Sequence, residues 1–411
     1  MKKIRILEAV NQLGLGGTEY AVQLFSEFLN KDRFEVTVIG LLNGGERVKL
    51  IEDLGINVIL LNGDLIKLGL LLQETDVFHW HGNGSLEPEL FKVIKANKPK
   101  IVIQTNVFGQ SDNSPLYDVI DYDLYISKMI LVRRMKLDKK LKNDYASKRK
   151  VLPYPVDIDH INMLLPTEDE VNRFKKANNL QDKFIAGRLG RSDDHKFDLI
   201  TLDGFADFAK KNEAARFLLL GSTPKISAHA ESLGISDKII TFNTTSDLRQ
   251  LLVYYKAMDV FLAASNIGES FGMVLAEAMT CGTPVVTIST EKRDNAQIEV
   301  IDNDQTGFVV KRDRKKIAAA LTHLYQHPQD RVRLSTASKQ KISKDYKADK
   351  IVRSLESLIY KHLEMPFPKD EKTLVVDYSK ALVNDYIKRC IDLYGRPEIF
   401  KRILWMFKKK I

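Results

Sequence analysis

The stretch from residue 259 to residue 288 constrains the fold more than any other part of this chain. An apolar run is followed by a polar loop, a helical pattern and a second apolar run, at residues 259–264, 265–270, 271–281 and 285–288. Gly282 directly after the helical pattern and Pro284 two residues later are typical of a helix C-terminus. The stretch therefore predicts a strand–loop–helix–strand unit, which is the building block of a parallel sheet.

Two acidic residues, Glu269 and Glu277, make this unit unusual. Glu269 lies in the loop at the carboxyl end of a predicted strand, where open α/β sheets bind ligands. Between the two acids, Ser270 is followed by the main-chain N–H groups of Phe271 and Gly272, which lie at a helix N-terminus and suit a phosphate. Carboxylates on either side of such a site suit sugar hydroxyls, such as those of a ribose and a hexose. The alternative is a solvated loop acid and a surface helix acid.

Composition sets the limits on size, compartment and partners. The 411 residues are 44% hydrophobic, which is enough for two domains with substantial cores. The two cysteines, Cys281 and Cys390, form neither a disulfide framework nor a zinc motif, so we expect a reducing, cytoplasmic setting. No secretion signal or membrane-spanning run is evident. The net charge of +9 suits nucleic acid, an anionic membrane surface or a phosphorylated ligand.

The alternation of strand and helix patterns occurs twice. It stops at residues 151–157, where Pro153 and Pro155 indicate a hinge, and then begins again. From about Lys315 the pattern is helical. We therefore predict an α/β protein with a Rossmann-like domain at 1–155, a second at 156–345 and a helical C-terminal segment at 346–411.

A glycine loop follows the first predicted strand. Gly16 and Gly17 lie there, but the dinucleotide fingerprint fails because Glu19 replaces its third glycine and the next strand lacks a terminal acid. The two glycines still allow the backbone to approach an anion closely. A plain tight turn explains them equally well.

Two histidines, His79 and His81, lie on one side of a predicted strand. Zinc is disfavoured because no further ligand lies nearby at a useful spacing. We expect His79 to pack in the core. His81, at the strand tip, is the better candidate for contacting a ligand.

Two cations, Arg191 and Lys196, flank a polar loop after a strand of the second half, again at the edge where ligands bind. Such cations suit the grip of a diphosphate. The alternative is a solvated loop.

Two basic segments are candidates for contact with an anionic membrane surface. Residues 128–150 carry a net charge of about +8 by side-chain type, and residues 396–411 mix aromatic with basic side chains. Nucleic acid is disfavoured for residues 128–150, because few aromatic residues lie among the cations of that segment. The alternatives are a solvated helix face and a terminal helix that docks on the first domain.

Taken together, these motifs resemble the retaining GT-B glycosyltransferases of family 4, the glycosyl transferases group 1. The resemblance covers roughly residues 4–345, and its most specific part is the Glu-x7-Glu motif of Glu269 and Glu277. It also includes the glycine loop, the Arg/Lys pair and the hinge. The fold implied is two Rossmann-like domains that face each other across a cleft.

The resemblance also implies a function. A retaining hexosyltransferase would move a sugar from a nucleotide-sugar to a glycan or lipid-linked glycan acceptor, as in polysaccharide biosynthesis, without a metal or other cofactor. Glu277 would hold the ribose and Glu269 the donor sugar. Arg191 and Lys196 would neutralise the departing diphosphate, near the amides of Phe271 and Gly272 and the glycine loop. Localisation would be cytoplasmic, or peripheral at the inner face of a membrane.

One departure from the family pattern concerns the strand at residues 101–105. The family often has a histidine just after it, whereas this chain has none there and Asn106 or Val107 takes its place. We assign Asn106 and His81 to the sugar or acceptor contact. The missing histidine leaves open a non-catalytic GT-B protein that binds a sugar nucleotide or accompanies a transferase, and a GT-B epimerase or phosphorylase is a weaker alternative.

Overall fold

A computed structural model describes residues 2–110, 112, 114–137, 147–366 and 373–395. The chain divides into two compact units. Unit 1 comprises Met1–Ile158 with Ser343–Ser379, and unit 2 comprises Asp159–Ile342 with Lys380–Ile411. Each unit is built around a largely parallel sheet with helices, so the predicted α/β class is confirmed. Among the described residues, no helix has the length and apolar character needed to cross a bilayer.

The sheet of unit 1 is parallel except at one edge. Its first strands are β1 Ile4–Gln12, β2 Phe34–Asn43, β3 Asn57–Leu60, β4 Val77–Gly82, β5 Ile101–Asn106, β6 Tyr122–Tyr125 and β7 Arg149–Val151. Its helices before the hinge are α1 Gly17–Phe28, α2 Arg47–Glu52, α3 Leu65–Gln73, α4 Pro88–Ala96 and α5 Lys128–Leu137. The strand order reverses between β1 and β4, because β2 and β3 lie on one side of β1 and β4 to β7 on the other. The loops after β1 and β4 therefore flank a topological switch point.

Unit 2 repeats this plan. Its strands are β8 Phe184–Arg188, β9 Ala215–Leu220, β10 Ile239–Phe242, β11 Val260–Ala263, β12 Gly268–Glu269, β13 Val285–Ser289, β14 Asp294–Asn295 and β15 Phe308–Lys311. Its helices are α6 Ile158–Met163, which starts at the unit boundary, α7 Glu168–Ala177, α8 Ile200–Ala209, α9 Pro224–Ser232, α10 Leu248–Ala257, α11 Met273–Thr280, α12 Gln297–Val300, α13 Arg314–Gln326 and α14 Pro328–Asp345. The parallel order β10-β9-β8-β11-β13-β15 reverses between β8 and β11.

The predicted unit at residues 259–288 is confirmed. Strand β11 pairs in parallel with β13, with Phe261 opposite Val285, and α11 connects them. These strands are almost entirely buried and mainly apolar because the sheet of a parallel α/β unit is covered on both faces. The core beside them includes Phe205 and Phe217, whose ring centroids are 5.1 Å apart.

The C-terminal segment is shared between the units. Helix α15 Ala348–His362 and strand β16 Val376–Asp377 belong to unit 1, and helix α16 Lys380–Tyr394 belongs to unit 2. Strand β16 pairs antiparallel with β7. Helix α15 is a second contact of the C-terminal segment with unit 1. Oε1 of its Glu356 accepts a hydrogen bond from the main-chain N–H of Asn30, after α1, at 2.7 Å.

Part of the basic segment 128–150 is used inside unit 1. Arg149 is buried, and its Nε donates to the hydroxyl of Tyr117, which in turn donates to the buried carboxylate of Asp123. Lys150 pairs with Asp377 of β16. Residues 138–146 of this segment, like the second basic segment at 396–411, lie outside the described residues. The membrane hypothesis therefore loses two of the cations on which it was based.

Candidate functional site

The loops that follow β8 and β11 meet at the switch point of unit 2. Phe197 forms a β-bridge with Ser265, and the main-chain N–H of Asn266 donates to the carbonyl of Lys196 at 3.0 Å. The loop of the predicted cations is therefore hydrogen-bonded to the loop of the predicted acids. The sequence placed both at the ligand edge of a sheet, and the structure brings them together.

Glu269 lies on the two-residue strand β12, which pairs with β14. Gly268 is opposite Asp294 and Glu269 is opposite Asn295. Gly268 has a φ of +84°, and a Cβ there would lie 2.1 Å from the carbonyl oxygen of Asp294. Only glycine allows this close approach. The side chain of Ser270 reinforces the pairing, because its hydroxyl donates to Oδ2 of Asp294 at 3.0 Å.

Two cations, Lys196 and Arg188, and one further acid, Asp294, act on the charge of Glu269. Burial raises the pKa of Glu269, and the positive charges of Lys196 and Arg188 act in the opposite direction. Arg188 ends β8, lies over the ring of Phe197 at 4.6 Å from its centroid, and is itself buried. Burial lowers the pKa of Arg188 to about 10, although the negative charge of Glu269 acts to raise it. Its Nη1 atom is buried without a hydrogen-bond partner among the described residues.

Arg188 is therefore a cation of the site that the sequence analysis missed. Its position at the end of a strand was a usable signal, but Arg191 and Lys196 in the following loop were chosen instead. The side chain of Arg191 is exposed, whereas that of Lys196 is partly buried. A buried guanidinium is more effective than an exposed one in stabilising charge, because solvent screens it less.

Glu277 lies on α11 and is held by a buried tyrosine. The hydroxyl of Tyr255 on α10 lies 2.9 Å from Oε2 of Glu277 and 3.3 Å from the carbonyl oxygen of Val274. Burial raises the pKa of Tyr255 well above its usual value, so the phenol stays a hydrogen-bond donor. Tyr255 is a second residue that sequence reasoning missed, because no spacing rule relates residues on different helices.

The loop between the two acids ends in a backbone conformation that requires glycine. Gly272 is the N-cap of α11 with a φ of +98°. Phe271, just before it, is buried. The main-chain N–H groups here lie at the start of α11, as predicted, although the helix begins at Met273 and not at Phe271, and the helix dipole favours an anion at that end.

The glycine loop of unit 1 lies at the switch point of its sheet. Gly16 is the N-cap of α1, and the helix begins at Gly17. A Cβ at residue 16 would lie 2.2 Å from Oε2 of Glu19, so the carboxylate of Glu19 folds back over the start of the helix. Both predicted glycines therefore lie at the ligand edge, with an acidic group beside them.

Both histidines of unit 1 contact one buried acid, Glu8 on β1. Nδ1 of His79 and Nε2 of His81 lie 2.9 Å and 2.8 Å from Oε2 of Glu8, and Nε2 of His79 lies 2.8 Å from the hydroxyl of Thr105. No third ligand could be recognised near the two histidines in the sequence, because Glu8 is 71 residues away from His79. Tetrahedral zinc holds its ligand atoms about 3.3 Å apart, so the separations fit hydrogen bonds better.

The same cluster holds the side chain of His81 inside unit 1. Its side chain is buried, with the ring of Phe25 against it, 5.6 Å between ring centroids. Burial lowers the pKa of His81 to about 4, although the negative charge of Glu8 acts to raise it. Within unit 1, Nε2 of His81 is therefore engaged with Glu8 inside the core, and the contact of His81 with a ligand stays a prediction.

We expect this cluster to make stability fall in acid. Burial alone would raise the pKa of Glu8, but His79 and His81 hold it at about 2, and His81 itself has a pKa of about 4 instead of 6.5. Between pH 6.5 and 4 the unfolded chain binds a proton at His81 that the folded chain does not, so stability decreases by up to about 3 kcal/mol. Urea unfolding at several pH values measures this. His81→Gln should flatten the slope, and an unchanged slope would contradict the assignment.

Asn106 also has an internal role. Its Nδ2 donates to the carbonyl of Gln110 at 3.0 Å, and its Oδ1 accepts from the N–H of Gly109 at 2.8 Å. Gly84 packs against it, since a Cβ there would lie 2.5 Å from Nδ2. The side chain therefore shapes the turn after β5.

Comparisons with known proteins agree with this architecture. Residues 169–341 match the family model described as glycosyl transferases group 1. The chain is 23% identical to N-acetyl-alpha-D-glucosaminyl L-malate synthase of Bacillus anthracis, over 77% of this chain and 68% of that enzyme. It is 34% identical to D-inositol 3-phosphate glycosyltransferase of Thermomonospora curvata over a shorter region, 26% of this chain and 24% of that enzyme. The chain thus aligns with only a quarter of the second relative.

Two solved structures share the fold. A glycosyltransferase from Rickettsia africae has a TM-score of 0.73 at 17% identity, over 89% of this chain and all of the other. The Anabaena protein HepE, in complex with UDP and glucose, has a TM-score of 0.68 at 15% identity, over 87% of this chain and 99% of the other. The chain therefore has the fold of the GT-B glycosyltransferases, and within it residues 169–341 of unit 2 match the model of the glycosyl transferases group 1.

Proposed function

We propose that the protein is a glycosyltransferase that moves a sugar from a nucleoside diphosphate sugar to a glycan or lipid-linked glycan acceptor. The observation that carries the proposal is the site in unit 2. The positive charges of Lys196 and Arg188 act there on the carboxylate of Glu269. Glu277, eight residues further along the chain, accepts a hydrogen bond from Tyr255. Acids for hydroxyls and cations for a diphosphate thus occur at one edge of a parallel sheet.

The chemistry follows from these groups. Breaking a glycosyl–phosphate bond builds negative charge on the diphosphate, and preorganised cations stabilise that charge most in the transition state. Lys196 and Arg188 supply such cations, with Arg191 at the exposed side of the loop. Glu277 would accept hydrogen bonds from the ribose, and Glu269 from the donor sugar.

We propose further that the transfer retains the anomeric configuration and proceeds without a metal or other cofactor. The amides of Phe271 and Gly272 would contact the distal phosphate, and Gly16 and Gly17 would let the backbone approach the diphosphate. Cations and amides then do the work that a metal ion does elsewhere. A front-face displacement with an oxocarbenium-like transition state needs no covalent nucleophile.

A binding and turnover screen tests the proposal. UDP-glucose is the first probe because the structure of HepE holds UDP and glucose, and other UDP- and GDP-sugars extend the series. We expect one nucleotide-sugar to raise the thermal midpoint and to be hydrolysed slowly to nucleoside diphosphate. No midpoint shift and no released diphosphate with any of them would contradict the proposal.

The second candidate is a non-catalytic sugar-nucleotide-binding or accessory protein. The observation that favours it is the turn after β5, where Asn106 is engaged within the turn and no histidine is present. Binding of a nucleotide-sugar without release of diphosphate, in the presence of candidate acceptors, would select this alternative.

We also propose a cytoplasmic location, peripheral at the inner face of a membrane. The support is the net charge of +9, since cations near an anionic surface contribute about 1 kcal/mol each. Flotation with liposomes that contain phosphatidylserine, at low and high salt, tests it. We expect binding that salt reverses, and no binding at low salt would exclude it.

A further inference from the structure

The C-terminal helix α16 packs in unit 2 against the segment around β14. The hydroxyl of Tyr394 lies 2.5 Å from Oγ of Ser289, at the end of β13, and accepts a hydrogen bond from Nδ2 of Asn295 at 3.3 Å. Two turns earlier on the helix, the hydroxyl of Tyr386 donates to Oδ1 of Asn295 at 3.3 Å. The amide of the buried Asn295 is therefore clamped at both ends by tyrosines of α16.

Asn295 is also the residue that pairs with Glu269. Strand β14 lies beside β12, and the N–H of Ala296, the next residue, donates to the carbonyl of Glu269 at 2.9 Å. The backbone that carries the Glu269 side chain is thus held by a segment whose own side chain is held by α16. Asn295 thus connects the two tyrosines to Glu269.

The position of α16 does not depend on the two tyrosine hydroxyls. Arg389 donates to the carbonyl of Ile298 at 3.0 Å and to Oδ1 of Asp302 at 2.8 Å, and Lys311 donates to the carbonyl of Tyr394 at 3.2 Å. Cys390 and Leu382 of the helix are buried. Removing a hydroxyl from Tyr394 or Tyr386 should therefore leave the helix docked.

We propose that Tyr394 and Tyr386 are positioning residues for Glu269, and that α16 in this way sets the geometry at the sugar end of the donor site. The inference rests on the proposed function, because it gives Glu269 the donor sugar as its ligand. The nucleotide end is held differently, since Glu277 lies on α11 and is fixed by Tyr255. Loosening Asn295 should therefore disturb the sugar and spare the nucleotide.

The first test is hydrogen exchange on the full chain without ligand. In Tyr394→Phe, the amide of Ala296 and the segment 266–272 should exchange about fivefold faster or more, because their hydrogen bonds open more often. Tyr386→Phe should act in the same direction. Lys388→Ala, an exposed position on the same helix, is the matched control and should leave exchange unchanged. Unchanged exchange in both tyrosine variants would overturn the proposal.

The second test separates sugar from nucleotide, with UDP-glucose and UDP as probes. We expect kcat with UDP-glucose to fall about fivefold in Tyr394→Phe, because a small misplacement of a contact group slows the reaction. The affinity for UDP should stay within about twofold. A parallel loss of both would overturn the proposal in favour of a general effect on unit 2, and an unchanged kcat with faster exchange would also overturn it.

The two proposals fail in different ways. If the wild-type protein neither binds UDP nor turns over any nucleotide-sugar, the proposed function fails, while exchange in the tyrosine variants still decides whether α16 positions Glu269. If the wild type is active and Tyr394→Phe matches it in exchange and in kcat, only the inference about α16 fails.

Discussion

We expect Glu277→Ala to weaken the binding of UDP by about 100-fold or more, because under the proposed role two ribose hydroxyls would lose a charged acceptor that contributes about 1.5 to 3 kcal/mol per hydrogen bond. This is the largest binding effect we expect from one substitution. Isothermal titration with UDP, or with whichever nucleoside diphosphate the wild type binds, measures it. Unchanged affinity would exclude the ribose role.

Tyr255→Phe should have a smaller effect than Glu277→Ala on the affinity for UDP. The phenol donates to Oε2 of Glu277 at 2.9 Å, so its loss leaves the carboxylate in place but less well oriented. We expect a loss of affinity of about tenfold, between wild type and Glu277→Ala. Glu231→Ala, which removes an exposed acid of α9 in the same unit, controls for net charge and should bind UDP normally.

We expect Lys196→Ala to lower kcat by about 10² to 10³, the range seen when one preorganised group that stabilises transition-state charge is removed. The affinity for the donor should fall less, because the charge on the diphosphate grows as the glycosyl bond breaks. Single-turnover kinetics with the best donor of the screen separates the two effects. Lys211→Ala, an exposed cation of the same unit, is the control.

The same variant should shift the acidic limb of the pH–rate profile. Burial raises the pKa of Glu269, and the charges of Lys196 and Arg188 lower it. Removing Lys196 therefore raises the pKa further, so that Glu269 becomes protonated and activity is lost at a higher pH than in the wild type. A limb that stays in place would mean that Glu269 does not titrate in the reaction.

Arg188 and Arg191 allow a direct comparison. Arg188 is buried and interacts electrostatically with Glu269, whereas the side chain of Arg191 is exposed. We expect Arg188→Lys, which keeps the charge but loses the fork of donors, to slow the reaction more than Arg191→Lys. The opposite order would return the diphosphate role to the residue that the sequence motif indicated.

Local patterns in the sequence were enough for much of the fold. The two predicted repeats of strand and helix patterns correspond to the two parallel sheets, because apolar periodicity reports directly which face of an element is covered. The same holds for the unit that begins at β11. The glycine and proline after α11 predicted its end for a steric reason, which needs no knowledge of distant contacts.

Contacts between distant residues could not be predicted in this way. Glu8 and His79 are 71 residues apart, and Tyr255 and Glu277 lie on different helices. Periodicity indicates that a side chain is buried but not which partner it meets. The pairing of β12 with β14 was missed for a related reason, since two-residue strands have no period to detect.

The division of the C-terminal segment has a consequence for synthesis on the ribosome. The outer edge of β7 is covered by β16, whose residues are translated more than 200 positions later, and Glu356 of α15 reaches the start of the chain at Asn30. Unit 1 therefore cannot reach its final state while only its first 158 residues have emerged. Until then its sheet has an unpaired edge, which is where nascent chains associate wrongly. A truncation after residue 158 should be poorly soluble for that reason.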